Sequence, residues 1–78
     1  MKLHELGNKI KTLRKDKNIT QEKLSQIAGI SRVTLGKFER GEMANISVKS
    51  LDLILNALNQ EIDFINKSGF GLATLDEY

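Results

Sequence analysis

Apolar residues recur along most of this chain at the three- and four-residue spacing that buries one face of an α-helix. The first stripe predicts a helix that ends near residues 17–18. Its members are Leu3, Leu6, Ile10 and Leu13. The last stripe predicts a helix that begins after a cap at Ser47 and leaves Leu53 and Ala57 on a different face. Its members are Val48, Leu51, Leu55 and Leu58.

Between these stripes, residues 20–41 predict two short helices joined by a turn at Gly29. Thr20 and Ser31 each place a hydroxyl where it can accept a hydrogen bond from the first turn of a helix. Gly41 supplies a left-handed stop after the second helix. The residues expected to face the core are Leu24, Ile27, Ala28, Leu35 and Phe38. The arrangement is a helix-turn-helix, whose second helix can enter the major groove of DNA.

The second helix of this motif is predicted to present a mainly polar outer face. The residues expected on that face are Arg32, Val33, Gly36, Lys37 and Arg40. Arg32 can donate two hydrogen bonds to a guanine, with a phosphate contact as the alternative. Lys37 lies further along the same face and can reach a base or a phosphate. Val33 either meets a thymine methyl group or packs within the protein.

Charge is distributed unevenly along the chain. Residues 9–40 hold nine basic and three acidic side chains, a local balance of +6, so that the remainder carries −4 of the total of +2. Positive charge over the motif is what phosphate neutralisation requires, whereas the acidic remainder is better suited to a protein partner. Phosphate contacts are predicted for Gln21, Ser31, Thr34, Arg40 and Lys9, with Ser31 serving mainly as a cap.

After residue 60 the periodicity changes from helical to alternating. Ile62 and Phe64 alternate with neighbouring positions over residues 60–66, which predicts a β-strand. Since no other segment predicts a strand, we expect this one to pair antiparallel with its copy in a homodimer. The residues predicted to contribute to dimerisation are Ile62, Phe64 and Leu53.

The chain is expected to form one domain followed by a tail. Residues 1–67 are the predicted DNA-binding domain, including the dimerisation strand, and residues 68–78 are the predicted flexible tail. As a hypothesis, apolar side chains of this tail bind a protein partner. The candidates are Phe70, Leu72 and Leu75.

Composition argues against catalysis and against a membrane protein. The chain has one histidine and no cysteine, so neither a nucleophile with its base nor a three-ligand metal site can be assembled. We therefore expect no enzymatic activity, no cofactor and no metal. The longest apolar run, residues 53–55, is too short to cross a bilayer, and the start of the chain lacks the apolar core of a signal peptide. A soluble, cytoplasmic protein is expected.

The helix-turn-helix resembles that of the phage lambda repressor, Cro and XRE family, from about Leu6 to Leu58. The residues that carry the resemblance are Gln21, Leu24, Gly29, Ser31, Leu35, Phe38, Glu39 and Gly41. It implies an all-α, four-helix lambda-repressor-like DNA-binding domain. It also implies base contacts at residues 32, 33 and 37 and a phosphate contact at residue 21. The family pairs an arginine in the first helix with the glutamate late in the recognition helix, which implies a structural ion pair between Arg14 and Glu39.

A helix that runs straight into a strand, at residues 47–67, resembles HipB-type antitoxins, whose strand pairs across a dimer. This resemblance implies a repressor that binds a palindromic operator in double-stranded DNA, controls its own operon and holds a HipA-like kinase toxin. A stand-alone phage or bacterial XRE-type regulator is the alternative. Gly36 departs from the pattern, since glycine inside a helix costs about 1 kcal/mol relative to alanine. Close approach of its backbone to DNA and neutral substitution are both compatible with the sequence.

Overall fold

The computed structural model describes residues 1–42 and 45–66, and the regular structure of these residues consists of α-helices. The four helices are α1 (Leu3–Asp16), α2 (Gln21–Ala28), α3 (Arg32–Glu39) and α4 (Val48–Ala57). The prediction of an all-α domain with a central helix-turn-helix is confirmed. Within the described residues, none of the helices combines the length and apolar character that a membrane crossing needs.

Three helices begin at hydroxyl caps, as the sequence predicts. The side chains of Thr20, Ser31 and Ser47 each accept a hydrogen bond from the backbone N–H three residues later, at 3.0 Å. These bonds satisfy N–H groups that have no partner within their own helix. The starting points of α2, α3 and α4 are therefore fixed by local chemistry.

Each of the four helices is followed, within two residues, by a residue in the left-handed conformation, with φ between 57° and 81°. These residues are Asn18, Gly29, Gly41 and Asn59. In each case the N–H of the residue after the left-handed one donates to the carbonyl five residues before itself, at 2.8 to 3.1 Å. This pattern closes the helix and satisfies its last carbonyl groups. Sequence-local stops thus keep α2 and α3 at eight residues each.

The core lies where α1, α2, α3 and α4 meet, and its buried apolar residues are Ile10, Leu24, Ala28, Leu35, Ile54, Leu55 and Leu58. Three residues predicted to face inward are exposed instead: Leu3 (84%), Ile27 (38%) and Val48 (77%). Leu3 and Val48 open their helices, where the first turn projects beyond the core. On α2 the buried face is formed by Leu24, Ser25 and Ala28, which leaves Ile27 at its edge.

A buried hydroxyl joins α4 to α2. The Ser50 side chain donates a hydrogen bond of 2.9 Å to the carbonyl of Ala28, the last residue of α2. Because this carbonyl lies at a helix end, it has no partner within α2, and Ser50 removes the cost of burying it unpaired. The sequence pattern did not indicate this role for Ser50.

Gly7 lies at the crossing of α1 and α3 and allows the two backbones to touch. A Cβ atom at residue 7 would lie 1.8 Å from the carbonyl oxygen of Phe38. That oxygen also accepts the N–H of Gly41 at the end of α3, so it is held in place. Only glycine therefore fits at this crossing.

Residues 61–66 follow α4 without forming a helix or a strand in the single chain, and all six are exposed. The strand predicted at residues 60–66, and its pairing across a dimer, stay predictions. The predicted tail, residues 68–78, lies outside the described residues, as do its candidate contacts Phe70, Leu72 and Leu75.

We predict that Gly7→Ala lowers the free energy of unfolding by about 3 kcal/mol or more, because the added methyl group collides with a fixed backbone carbonyl. The control is Asn8→Ala, at an exposed position of the same helix, which is expected to be neutral or slightly stabilising. Urea unfolding followed by circular dichroism measures both. Equal stability of the two variants would contradict the close crossing of α1 and α3.

Candidate nucleic-acid interface

A buried ion pair joins α1 to α3 behind the helix-turn-helix. Arg14 donates from Nε to Oε2 of Glu39 at 2.8 Å and from Nη2 to Oε1 at 3.1 Å. The exposed fractions of the two residues are only 7% and 3%. Arg14 also donates from Nη1 to the carbonyl of Ile19 at 2.8 Å, in the connection between α1 and α2. The structure therefore places in direct contact the two residues that the family resemblance pairs.

Gln21 connects α2 to this ion pair. Its Nε2 group donates to Oε1 of Glu39 at 2.9 Å. A carboxylate only accepts hydrogen bonds, so this contact orients the amide nitrogen of Gln21 towards Glu39 and leaves its oxygen and second N–H available. Gln21 is half-buried and opens α2 directly after the Thr20 cap. Gln21, which is predicted to contact a phosphate, is thus held by the same hydrogen-bond network that fixes α3.

The outer face of α3 carries the predicted base contacts at its exposed positions. Arg32, Val33 and Lys37 are all exposed, and 67% of Val33 is accessible, so Val33 is not packed among the residues that the structure describes. The opposite face buries Leu35 and Glu39. A rigid short helix with one locked face and one free face has the form needed to enter a groove of DNA.

The two hydroxyl groups at the start of α3 differ in what they can offer to DNA. Ser31 accepts the N–H of Thr34 and donates its own proton to Oγ1 of Thr34 at 2.8 Å. Ser31 is thus occupied within the protein, in accordance with its expected role as a cap. Thr34 retains its hydroxyl proton and can donate it to a phosphate.

Arg40 follows α3 and is paired with Glu42, a partner that the sequence reasoning did not identify. Arg40 donates from Nε to the Glu42 carboxylate at 2.6 Å, and about half of each side chain is exposed. This hydrogen bond, with the charge of the guanidinium, holds the pKa of Glu42 below its ordinary value. An exposed pair of this kind contributes little to stability, so its main effect is on the direction of the Arg40 side chain.

Gly36 was predicted to face outward, and this expectation is wrong. The residue is buried, and the ends of the Arg40 and Gln21 side chains lie next to it. A Cβ atom at residue 36 would lie 3.3 Å from Nη1 of Arg40 and 3.9 Å from Nε2 of Gln21. The sequence could not indicate this cover, since it depends on the positions of side chains from two helices.

The remaining predicted contact, Lys9, is exposed on α1. A shallow depression lies where α2 and α3 begin and is lined by Arg14, Thr20, Gln21, Glu22 and Arg32. The structure therefore brings together Gln21, a predicted phosphate contact, and Arg32, a predicted base contact.

Comparison with known proteins assigns the family. A family model described as helix-turn-helix matches residues 10–65. The chain belongs to this family. Its resemblance to XRE-type helix-turn-helix proteins is thereby confirmed, and the chain carries the DNA-binding domain that defines them.

Three relatives share this domain. Antitoxin PezA of Streptococcus pneumoniae is 37% identical over 69% of this chain and 34% of its own length. The SPbeta prophage-derived HTH-type transcriptional regulator YonR of Bacillus subtilis is 32% identical over 91% of this chain and 65% of its own length. Control protein C.SmaI of Serratia marcescens is 32% identical over 73% of this chain and 67% of its own length. The chain spans about a third of the antitoxin and about two thirds of the other two.

Proposed function

We propose that this protein is a sequence-specific transcriptional repressor that reads DNA with the exposed face of α3. The observation that carries the proposal is the contrast between the two faces of that helix. Glu39 is locked to α1 and α2, while Arg32, Val33 and Lys37 project into solvent. Arg32 is proposed to bind a guanine, Lys37 a base acceptor and Val33 a thymine methyl group.

Contacts with the phosphate backbone would fix α3 in the groove. Gln21 and Arg40 are proposed to bind phosphates next to α3, and Thr34 has a free hydroxyl proton for the same purpose. Lys9 adds a positive charge on α1. Ser31 is left with its capping role.

The protein is proposed to act as a homodimer on a palindromic operator. Residues 61–66 expose Ile62 and Phe64 next to a backbone that pairs with no other strand in the described chain. A second copy of the chain can cover these side chains and pair with this backbone, because antiparallel pairing of the segment with its own copy is two-fold symmetric. Half-buried Leu53 on α4 would then contact the partner. The two α3 helices would enter successive major grooves, about 34 to 36 Å apart.

A role as an antitoxin is the second candidate, favoured by the relative named antitoxin PezA. In this function the protein would repress its own operon and bind the toxin encoded beside it. The HipA-like kinase stays a prediction from the sequence, since the matched antitoxin bears a different name. Copurification with the product of the adjacent reading frame is the test, and its failure would favour a stand-alone regulator.

We predict that Arg32→Ala weakens binding to a selected operator by roughly 1 to 3 kcal/mol and changes binding to random duplex much less, because it removes a base contact. The operator is first selected from a pool of random duplexes, and affinities are then measured by fluorescence anisotropy. Lys49→Ala is the matched control, since it removes the same charge from an exposed position of α4. Equal losses on operator and random duplex for Arg32→Ala would show that this residue binds only phosphate.

We predict that Phe64→Asp dissociates the dimer, because a buried carboxylate would replace an aromatic side chain in the paired strands. Ile65→Asp is the control, since it adds the same charge to the neighbouring residue on the other side of the strand. Sedimentation equilibrium of the wild type and both variants is the measurement. A monomeric wild type, or equal effects of the two substitutions, would contradict the proposed pairing.

A further inference from the structure

Gly36 occupies a covered position in the middle of α3 although its backbone needs no glycine. Its φ is not among the positive values of the described residues, so an L-residue could adopt the same conformation. Helix stability gives no reason for it either, since glycine is less favourable than alanine in the interior of a helix. The groups around the missing side chain offer a structural reason for the glycine.

Two hydrogen-bond donors lie next to the position that a Cβ atom of residue 36 would take. Outside the helix backbone and adjacent residues, the heavy atoms of the described chain within 4 Å of that Cβ position are Nη1 of Arg40 and Nε2 of Gln21. Gln21 opens α2, and Arg40 directly follows α3. Since Nη1 of Arg40 lies 3.3 Å and Nε2 of Gln21 lies 3.9 Å from the same Cβ position, the two nitrogens are separated by no more than the sum of these distances. An arginine and an amide this close can donate to oxygens of one phosphate.

Each donor is also held from its far side. Glu42 accepts from Nε of Arg40, while Nη1 of the same guanidinium lies 3.3 Å from the Cβ position of residue 36. Glu39 accepts from Nε2 of Gln21 and fixes the amide above the start of α2. Arg40 and Gln21 each keep further N–H groups that these two hydrogen bonds do not use. Gly36 thus lies beneath a pair of oriented donors.

We propose that Gly36 is a positioning residue: its missing side chain lets the guanidinium of Arg40 lie across α3 beside the amide of Gln21, so that both bind one DNA phosphate. This inference rests on the proposed DNA binding and adds a role for a residue that itself contacts no base. Stability and DNA affinity then have opposite preferences at residue 36, because alanine gives the more stable helix and glycine gives the tighter binding.

The test is Gly36→Ala, examined for both properties. The added methyl group would meet the end of the Arg40 side chain at 3.3 Å, and a small shift of that side chain accommodates it, so the variant should fold. Its melting temperature is expected to rise by about 4 °C. Its affinity for a short duplex of arbitrary sequence is expected to fall by about two- to fivefold, because the methyl group shifts the guanidinium of Arg40 from its position beside Gln21 and weakens its phosphate contact. The loss should be equal for a selected operator, because no base contact changes.

A double-mutant cycle with Arg40→Ala separates positioning from other effects. Arg40→Ala alone should weaken binding to every duplex and reduce the salt slope by about 1 per chain. Once Arg40 is absent, adding Gly36→Ala should cause no further loss of affinity. Anisotropy titrations at several salt concentrations provide all four affinities.

Several outcomes would overturn the inference. They are an unfolded or less stable Gly36→Ala, unchanged affinity of that variant, a loss confined to the operator, and a full second loss in the Arg40→Ala background. Failure of the wild type to bind any duplex at low salt is a different result, because it would contradict the proposed DNA binding itself.

Discussion

The buried ion pair between Arg14 and Glu39 is the interaction on which the rest of the structure depends. It satisfies both carboxylate oxygens at 2.8 and 3.1 Å and joins the first helix to the end of the third. Its arginine also holds the carbonyl of Ile19, and its carboxylate accepts from Gln21. No side-chain polar atom buried within residues 1–42 and 45–66 is left without a hydrogen-bond partner. A complete network of this kind specifies one arrangement of its helices, whereas loss of one partner leaves an uncompensated charge.

This network explains how an eight-residue helix can present a rigid surface. α3 is too short to be stable alone, so its orientation must come from tertiary contacts. Leu35 packs it on the core, Glu39 fixes its last turn, and Gly7 allows α1 to approach its backbone closely. The hydroxyl caps and left-handed stops define its length. Arg32, Val33 and Lys37 are left free to contact a ligand because none of these constraints uses them.

The elements that the sequence predicted correctly are those with local causes. Caps at Thr20, Ser31 and Ser47 and the stops at Gly29 and Gly41 involve residues no more than five positions apart along the chain. Periodicity also identified most of the core. These signals need no knowledge of the remaining chain, because each bond is made by near neighbours.

The features that the sequence did not predict depend on contacts between helices. Gly7 and Ser50 have roles only where a second helix approaches them, and the burial of Gly36 likewise could not be foreseen from its own helix. The exposure of Leu3 and Val48 likewise reflects the ends of packed helices, which periodicity alone does not locate. The glutamate Glu42 illustrates the same limit within the site, since its pairing depends on how the chain turns after α3. Residue spacing predicts which face of a helix is buried, but the crossing points must come from the structure.

The most direct measurement is the DNA affinity of the double variant Arg14→Met/Glu39→Leu, which replaces the ion pair by apolar side chains without changing net charge. Such replacements are often neutral or stabilising, so the chain is expected to fold. Gln21 would lose its acceptor and with it the fixed position of its amide. The account predicts a folded protein whose affinity for a short duplex falls to that of Gln21→Ala. A folded double variant with wild-type affinity would contradict it.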